Sequence, residues 1–240
     1  MLDKTKRYLV VGLGLLGGKY ALELTKAGFH VDGINRSEGH LQYALDHGYI
    51  ASGKTHDFED LVQQADYIIF GLYPTALLEW FKAYGPLLKP GCIFTDVSGV
   101  KTGLVEPVQA LCPAGVEFIA SHPMAGRETS SVEHAAEVNF APANFIITPT
   151  DKNTPEAIQW AKELAEVLLP VLDLQLGGQD VPSIILIARF AFAGKPSVLP
   201  NRLSDRAGWL PAGAARAVRS RSGNTVPATA LPVHAAAAPD

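Results

Sequence analysis

YLVVGLGLLGG, residues 8–18, joins a short run of apolar residues directly to a cluster of glycines. An apolar run of this length is typical of a buried strand. The next segment, LLGGKYALELTKAG (15–28), spaces its apolar residues as a helix does and ends at Gly28. FHVDGINRS (29–37) then predicts a second strand. The sequence therefore predicts a strand, a tight turn, a helix and a second strand within residues 8–37.

The glycines of the turn follow the pattern G-x-G-x-x-G, placed after a strand and before a helix as in dinucleotide-binding proteins. Gly12 permits the tight turn, Gly14 lets the backbone approach a pyrophosphate, and Gly17 allows close packing of helix on strand. The helix N-terminus adds amides and partial positive charge. We predict cofactor contacts from Gly12, Gly14, Leu15, Leu16 and Gly17. The alternative is a purely structural glycine turn.

The end of the second strand bears on the choice of cofactor. NAD sites usually carry an acidic residue there, which bonds the ribose hydroxyls and repels a 2′-phosphate. This sequence has Asn35, Arg36 and Ser37 instead. Arg36 is suited to stack on adenine and pair with a 2′-phosphate, and Ser37 is a further donor. We predict cofactor contacts from all three and a preference for NADP, with NAD possible. The alternative is that Arg36 is an ordinary solvated residue.

Strands and helices continue to alternate along the chain. Ser37 is placed to cap a helix over SEGHLQYALDHG (37–48). Further helices are predicted over 56–65, 75–88, 100–111, where Pro107 interrupts the pattern, and 154–169; further strands over 65–74, 91–99, 116–122 and 144–150, with a loop from 123 to about 142. This alternation predicts an α/β fold: a Rossmann-type, doubly wound, mostly parallel sheet covered on both faces.

Composition limits the classes of partner. Hydrophobic residues make up 48% and charged residues 18% of the chain, and the formal net charge is −4. No basic cluster interleaved with aromatic residues occurs in the first 180 positions, so we expect small-molecule partners and no nucleic acid. The two cysteines favour neither a metal site nor a disulfide-stapled fold. Without a signal-peptide pattern or a membrane-length apolar run, we expect a cytoplasmic protein.

The amino-acid composition of the chain changes after Gly178. Residues 179–240 contain 14 Ala and 7 Pro, with 7 basic and only 3 acidic residues. We therefore expect a dinucleotide-binding domain over 1–178, followed by an atypical and largely disordered tail over 179–240. Two origins of the tail remain open: a natural flexible tail, or a reading-frame change or artificial junction that replaced the native C-terminus.

Three predicted loops at the carboxyl ends of strands carry candidate chemistry. They are LYPT within residues 71 to 75, with Tyr73 and Pro74; DVSGVK (96–101); and SHPMAGRE (121–128). Ligands of open parallel sheets bind beyond the carboxyl ends of the strands. We therefore expect all three loops to face the nicotinamide end of the cofactor. For His122 alone, the alternative is a polar residue that ends a strand.

GLGLLGG, the D-x-x-x-x-K spacing of DVSGVK and above all SHPMAGRE resemble the prephenate and arogenate dehydrogenase family of tyrosine biosynthesis, over roughly residues 8–175. The resemblance implies NAD(P)-dependent oxidative decarboxylation of prephenate, or arogenate, to 4-hydroxyphenylpyruvate, or tyrosine. A hydride leaves the ring carbon that bears the hydroxyl, carbon dioxide departs, and the ring becomes aromatic. The choice between the two substrates stays open.

The resemblance also implies roles for single residues. His122 matches the catalytic histidine that accepts a hydrogen bond from the substrate hydroxyl, and Glu128 matches an acid at the entrance of the active site. Lys101 matches a residue beside nicotinamide and substrate. The family often reads D-x-x-S-x-K, whereas here the serine, Ser98, stands one position earlier. We keep Ser98 as a catalytic candidate that reaches the histidine or the substrate.

Members of the family continue into a helical domain that supplies substrate contacts and a homodimer interface. We find no counterpart of that domain after Gly178, so a homodimer is expected for the family and doubtful for this chain. An altered C-terminus would also impair activity. Two alternative functions of this chain therefore stay open: a dehydrogenase of the β-hydroxyacid type, and a non-catalytic NADP-binding protein.

Overall fold

The computed structural model describes residues 2–125, 130–140 and 143–169, together with the backbone of residues 184–186. All of these lie in the first of two compact units, Met1–Trp209. The predicted tail over 179–240 falls outside the described residues, apart from the short strand Ile184–Leu186.

The main sheet has six parallel strands in the order β3-β2-β1-β4-β5-β6. The order reverses between β1 and β4, as in doubly wound dinucleotide-binding folds, and this confirms the predicted fold class. The strands are β1 (Arg7–Val11), β2 (His30–Ile34), β3 (Ser52–Lys54), β4 (Tyr67–Phe70), β5 (Ile93–Asp96) and β6 (Glu117–Phe118).

Helices cover both faces of this sheet. Successive side chains of a strand point to opposite faces, and on β1 the side chains of both faces are apolar. On β1, Tyr8 and Val10 pack into one core cluster, and Leu9 and Val11 pack into the other. The helices are α1 (Leu15–Lys26), α2 (Glu38–Asp46), α3 (Glu59–Gln64), α4 (Pro74–Tyr84), α5 (Val105–Leu111) and α6 (Pro155–Leu168), with 3-10 segments at Gly85–Leu87 and Val132–Glu137.

A second, smaller sheet follows the main one. It contains β7 (Ala120–Pro123), β8 (Phe145–Thr148) and β9 (Ile184–Leu186), with β7 antiparallel and β9 parallel to β8. The single strand predicted over 116–122 is therefore two strands in different sheets. A strand prediction from a single segment does not reveal which neighbour each residue pairs with.

Two further differences have local causes. Pro107 does not interrupt a helix, because α5 begins at Val105 and so places the proline in its first turn, where a missing amide is tolerated. The strand β3 was not predicted, because its three residues, SGK, carry no apolar alternation. Among the described residues, no helix is both long and apolar enough to cross a membrane.

Candidate active site

The glycine turn between β1 and α1 is tightly packed at two of its glycines. Gly12 has a φ of +94°, and a Cβ there would lie 2.6 Å from Leu72 Cδ2 and 2.9 Å from the Gly71 carbonyl oxygen. A Cβ on Gly17 would collide with the carbonyl oxygen of Gly12. The turn therefore needs glycine at both positions, as the sequence predicted.

Gly14 differs from these two, because a Cβ there would meet nothing within 4 Å. Gly14 is also the N-cap of the 12-residue helix α1 and supplies no side-chain cap, and Leu15 and Leu16 form the helix's first turn. The first amides of a helix have no partners within the helix and attract anions. Open space beside these amides fits the pyrophosphate of a dinucleotide.

The polar residues after β2 divide into two groups. Asn35 is buried: its Oδ1 accepts from the Leu13 amide at 3.0 Å, and its Nδ2 donates to the Ser37 carbonyl oxygen at 3.0 Å. Its amide group thus braces the glycine turn. Ser37 Oγ accepts from the His40 amide at 3.3 Å and caps α2, as predicted, while Arg36 is exposed. Arg36 directly follows Asn35 and carries a positive charge at the end of β2.

His122 lies inside β7 of the second sheet, beside the loop that follows β5, and is half-buried. Its Nδ1 is 2.9 Å from the carbonyl oxygen of Val97. A carbonyl oxygen only accepts hydrogen bonds, so Nδ1 carries the proton and Nε2 of the neutral ring is the acceptor. Nε2 faces Gly99, where an added Cβ would be 3.3 Å away. The site therefore presents an imidazole nitrogen able to take a proton.

A buried ion pair between Asp96 and Lys101 lies next to Val97, the residue that contacts this histidine. The carboxylate of Asp96 is fully buried, and both of its oxygens are 2.6 Å from Lys101 Nζ. The single Ser98 hydroxyl proton is donated to Asp96 Oδ2 at 2.6 Å, and the Val100 carbonyl oxygen lies 3.2 Å from the same Oγ. Burial lowers the pKa of the Lys101 ammonium, and the Asp96 carboxylate opposes that shift. Ser98 and Lys101 thus have Asp96 as their partner in this structure.

The remaining predicted site residues are Tyr73, Pro74 and Glu128. Tyr73 is 83% exposed just before α4, and Pro74 is the first residue of that helix. Glu128 lies outside the described residues. Within the described ranges there is no group of three or more His, Cys, Asp or Glu side chains placed to hold a metal ion. Sequence reasoning did not single out Asp96 or Ser121, although Asp96 opens the D-x-x-x-x-K spacing.

The sequence profile described as "Prephenate dehydrogenase, nucleotide-binding domain" matches residues 20–170. The chain belongs to this prephenate dehydrogenase family. The matched region contains α1 from Tyr20 onward, the strands β2 to β8, the loop after β5 and His122. The resemblance first seen in SHPMAGRE is thereby confirmed.

Relatives of the family show how much of the protein is matched. A prephenate dehydrogenase of Bacillus subtilis is 31% identical over 161 residues, which are 65% of this chain and 43% of the relative. The arogenate dehydrogenase structure from Synechocystis is 28% identical with a TM-score of 0.61, covering 68% of this chain and 56% of that one. The prephenate dehydrogenase from A. aeolicus, in complex with hydroxyphenyl propionate and NAD+, is 26% identical with a TM-score of 0.62, covering 68% and 57%. The chain thus spans about half the length of these members of the prephenate dehydrogenase family.

Proposed function

We propose that this chain catalyses the NAD(P)-dependent oxidative decarboxylation of prephenate, or of arogenate, to 4-hydroxyphenylpyruvate, or tyrosine. The observation that carries the proposal is the hydrogen bond from His122 Nδ1 to the Val97 carbonyl oxygen. It makes Nε2 the acceptor, which is what removal of a proton from a substrate hydroxyl requires.

The chemistry divides between cofactor and protein. A bound nicotinamide supplies the acceptor for the hydride that leaves the hydroxyl-bearing ring carbon. His122 Nε2 accepts the hydroxyl proton as the carbon–oxygen bond becomes a carbonyl. As carbon dioxide leaves, its bonding electron pair enters the ring, which becomes aromatic, and the former carbonyl oxygen takes the proton back from His122 to give the phenol. Gly14 and the first turn of α1 would hold the pyrophosphate, because that turn is open to a ligand.

We propose NADP as the preferred cofactor. Asn35 stands where NAD sites usually have an acid, and its amide is bonded to Leu13 and Ser37, so position 35 carries no carboxylate that would repel a 2′-phosphate. Arg36 is exposed next to it. The NAD+ bound by the A. aeolicus relative favours NAD as the competing assignment.

We also propose that residues 1–178 are the cofactor-binding domain. The family profile over 20–170 and the six-stranded sheet support this boundary. Limited proteolysis of the full chain should leave a protected fragment that ends near residue 178. A protected fragment that ends well before α6 would contradict the boundary.

The test of function uses the purified full chain with each substrate and each cofactor, followed by the absorbance of reduced nicotinamide. Turnover of prephenate or arogenate is the expected result. Cofactor binding by calorimetry without turnover of either substrate would contradict the proposal and favour a non-catalytic NADP-binding protein. That alternative is kept because the chain spans only about half the length of its relatives. Turnover of 3-hydroxy acids alone would favour the β-hydroxyacid type.

A further inference from the structure

The last residue of β5 and the second residue of β7 are joined by several hydrogen bonds. Asp96 Oδ1 accepts from the Ser121 amide at 3.3 Å, and the Asp96 carbonyl oxygen accepts from Ser121 Oγ at 3.2 Å. Ser121 Oγ is also 2.7 Å from Thr95 Oγ1. All three side chains are buried. These bonds connect the main sheet to the second sheet immediately before His122.

Lys101 closes the same connection from the other side. Its Nζ lies 2.6 Å from each oxygen of Asp96 and 2.7 Å from the carbonyl oxygen of Ser121. An ammonium has three N–H donors, and three acceptors surround this one. With its donors directed at Asp96 and Ser121, Lys101 has none left for a cofactor or a substrate.

The loop held by this ion pair also makes the bond to the histidine. Val97 directly follows Asp96, and its carbonyl oxygen accepts from His122 Nδ1 at 2.9 Å. On the other strand, His122 directly follows Ser121. The two ends of the Val97–His122 bond are therefore each one residue away from a group that Lys101 contacts.

We propose that Asp96 and Lys101 are positioning residues: the pair locks the loop after β5 onto β7 and so keeps His122 in the single tautomer with its proton on Nδ1. The role assigned to Nε2 rests on the function proposed above, whereas the effect on the tautomer does not. Lys101 is thus assigned to the protein framework of the site and not to ligand contact.

The variants must allow for the cost of an unpaired buried charge. Removing only one partner of a buried ion pair is strongly destabilising, whereas replacing both by neutral groups is often tolerated. The test therefore relies on the double variant Asp96→Asn with Lys101→Gln, and Lys101→Met is the accompanying single variant that leaves the buried Asp96 charge unpaired. Lys89 is the control, because its Nζ also contacts a carboxylate and a carbonyl oxygen, Asp66 Oδ1 at 2.9 Å and Gln64 at 2.8 Å, but in a more exposed pair near the amino ends of β4 and β5.

The first measurement is the nitrogen NMR spectrum of the His122 ring in the full chain at neutral pH. We expect the wild type and Lys89→Met to show one tautomer, with the proton on Nδ1. Lys101→Met and the double variant should both lose this single pattern and show a mixture of the two tautomers. A wild-type ring with its proton on Nε2, or a folded double variant that keeps the wild-type pattern, would overturn the proposal.

The second measurement separates positioning from ligand binding. If the pair positions His122, the double variant should lower kcat by about 100-fold, the order expected when a catalytic group is misplaced, and leave the Kd for NADP unchanged. In the wild type, the Lys101 ammonium signal should not shift when NADP or prephenate is added. A shift would overturn the proposal even if no variant folds. If the wild type has no turnover, the proposed function fails while the tautomer result still decides this inference.

Discussion

Gly99 lies against the ring of His122, so that a Cβ on this residue would be 3.3 Å from Nε2 and 3.5 Å from Cε1. Gly99 is also the position at which the prephenate dehydrogenase family often carries the serine that this chain has one residue earlier. The hydroxyl of Ser98 is bonded to Asp96 and Val100. Position 99 therefore carries no side chain that could contact this histidine.

Gly99→Ser is predicted to fold and to keep or raise turnover. Gly99 is not among the glycines with positive φ, and the ring needs to move by only a few tenths of an ångström to accept a Cβ. The added hydroxyl would then lie next to Nε2. Gly99→Leu has the same backbone requirement but a larger side chain, and should lower kcat by about 100-fold by displacing the ring. Equal losses in the two variants would contradict this account.

His122→Asn is predicted to lower kcat by about 100- to 10,000-fold, the range typical of a lost general acid or base. The Kd for NADP should not change, because the pyrophosphate would be held by the glycine turn between β1 and α1, whereas His122 lies in β7. His134→Asn is the control: His134 is another half-exposed histidine, paired with Glu137 at 3.1 Å on the 3-10 segment Val132–Glu137. Near-normal turnover in His122→Asn would remove the proton-accepting role.

The sequence was sufficient to predict five of the six strands of the main sheet; β1 and β4, for example, are apolar runs followed directly by a glycine. It also located the glycine turn and the histidine. It did not predict that the main sheet ends at Phe118 and that His122 stands in a second sheet, because strand pairing depends on distant partners such as β8.

The sequence likewise could not assign Lys101. A lysine five residues after an aspartate has the reach to contact either that aspartate or a ligand. The choice depends on Ser121, which lies 20 residues further along the chain and supplies the third acceptor. Asn35 is similar, because its bond to Leu13 is made only once the glycine turn has formed.

Gly14→Ala is predicted to separate stability from cofactor binding. The added methyl group enters open space at the N-terminus of α1, so the free energy of unfolding should change little. The same methyl group occupies the space assigned to the pyrophosphate and should raise the Kd for NADP at least about tenfold, the effect of losing roughly one charge-assisted hydrogen bond. Gly17→Ala is the contrasting variant, because its Cβ collides with Gly12 and should reduce stability as well. Unchanged NADP affinity in Gly14→Ala would place the pyrophosphate elsewhere.

The cysteines predict a dependence of stability on alkaline pH. Burial raises the pKa of the Cys92 thiol to about 12 and that of the Cys112 thiol to about 11, from an ordinary value of 9.0. The unfolded chain therefore loses these protons first, so the stabilisation is complete below pH 9 and is lost progressively as the pH rises towards the folded values. Urea unfolding across this range should show the fall, and Cys92→Ala should show a shallower one. Identical slopes would mean that other groups dominate.

Arg36→Ala tests the choice of cofactor. If Arg36 pairs with the 2′-phosphate, its loss should raise the KM for NADP by about tenfold to 100-fold, the range for a hydrogen bond to a charged group, and leave the KM for NAD unchanged. Lys54→Ala is the control for a general loss of positive charge, because Lys54 ends the neighbouring strand β3 and is paired with Asp60 at 2.7 Å. A KM ratio for the two cofactors that is the same in wild type and Arg36→Ala would show that the cation after β2 does not read the phosphate.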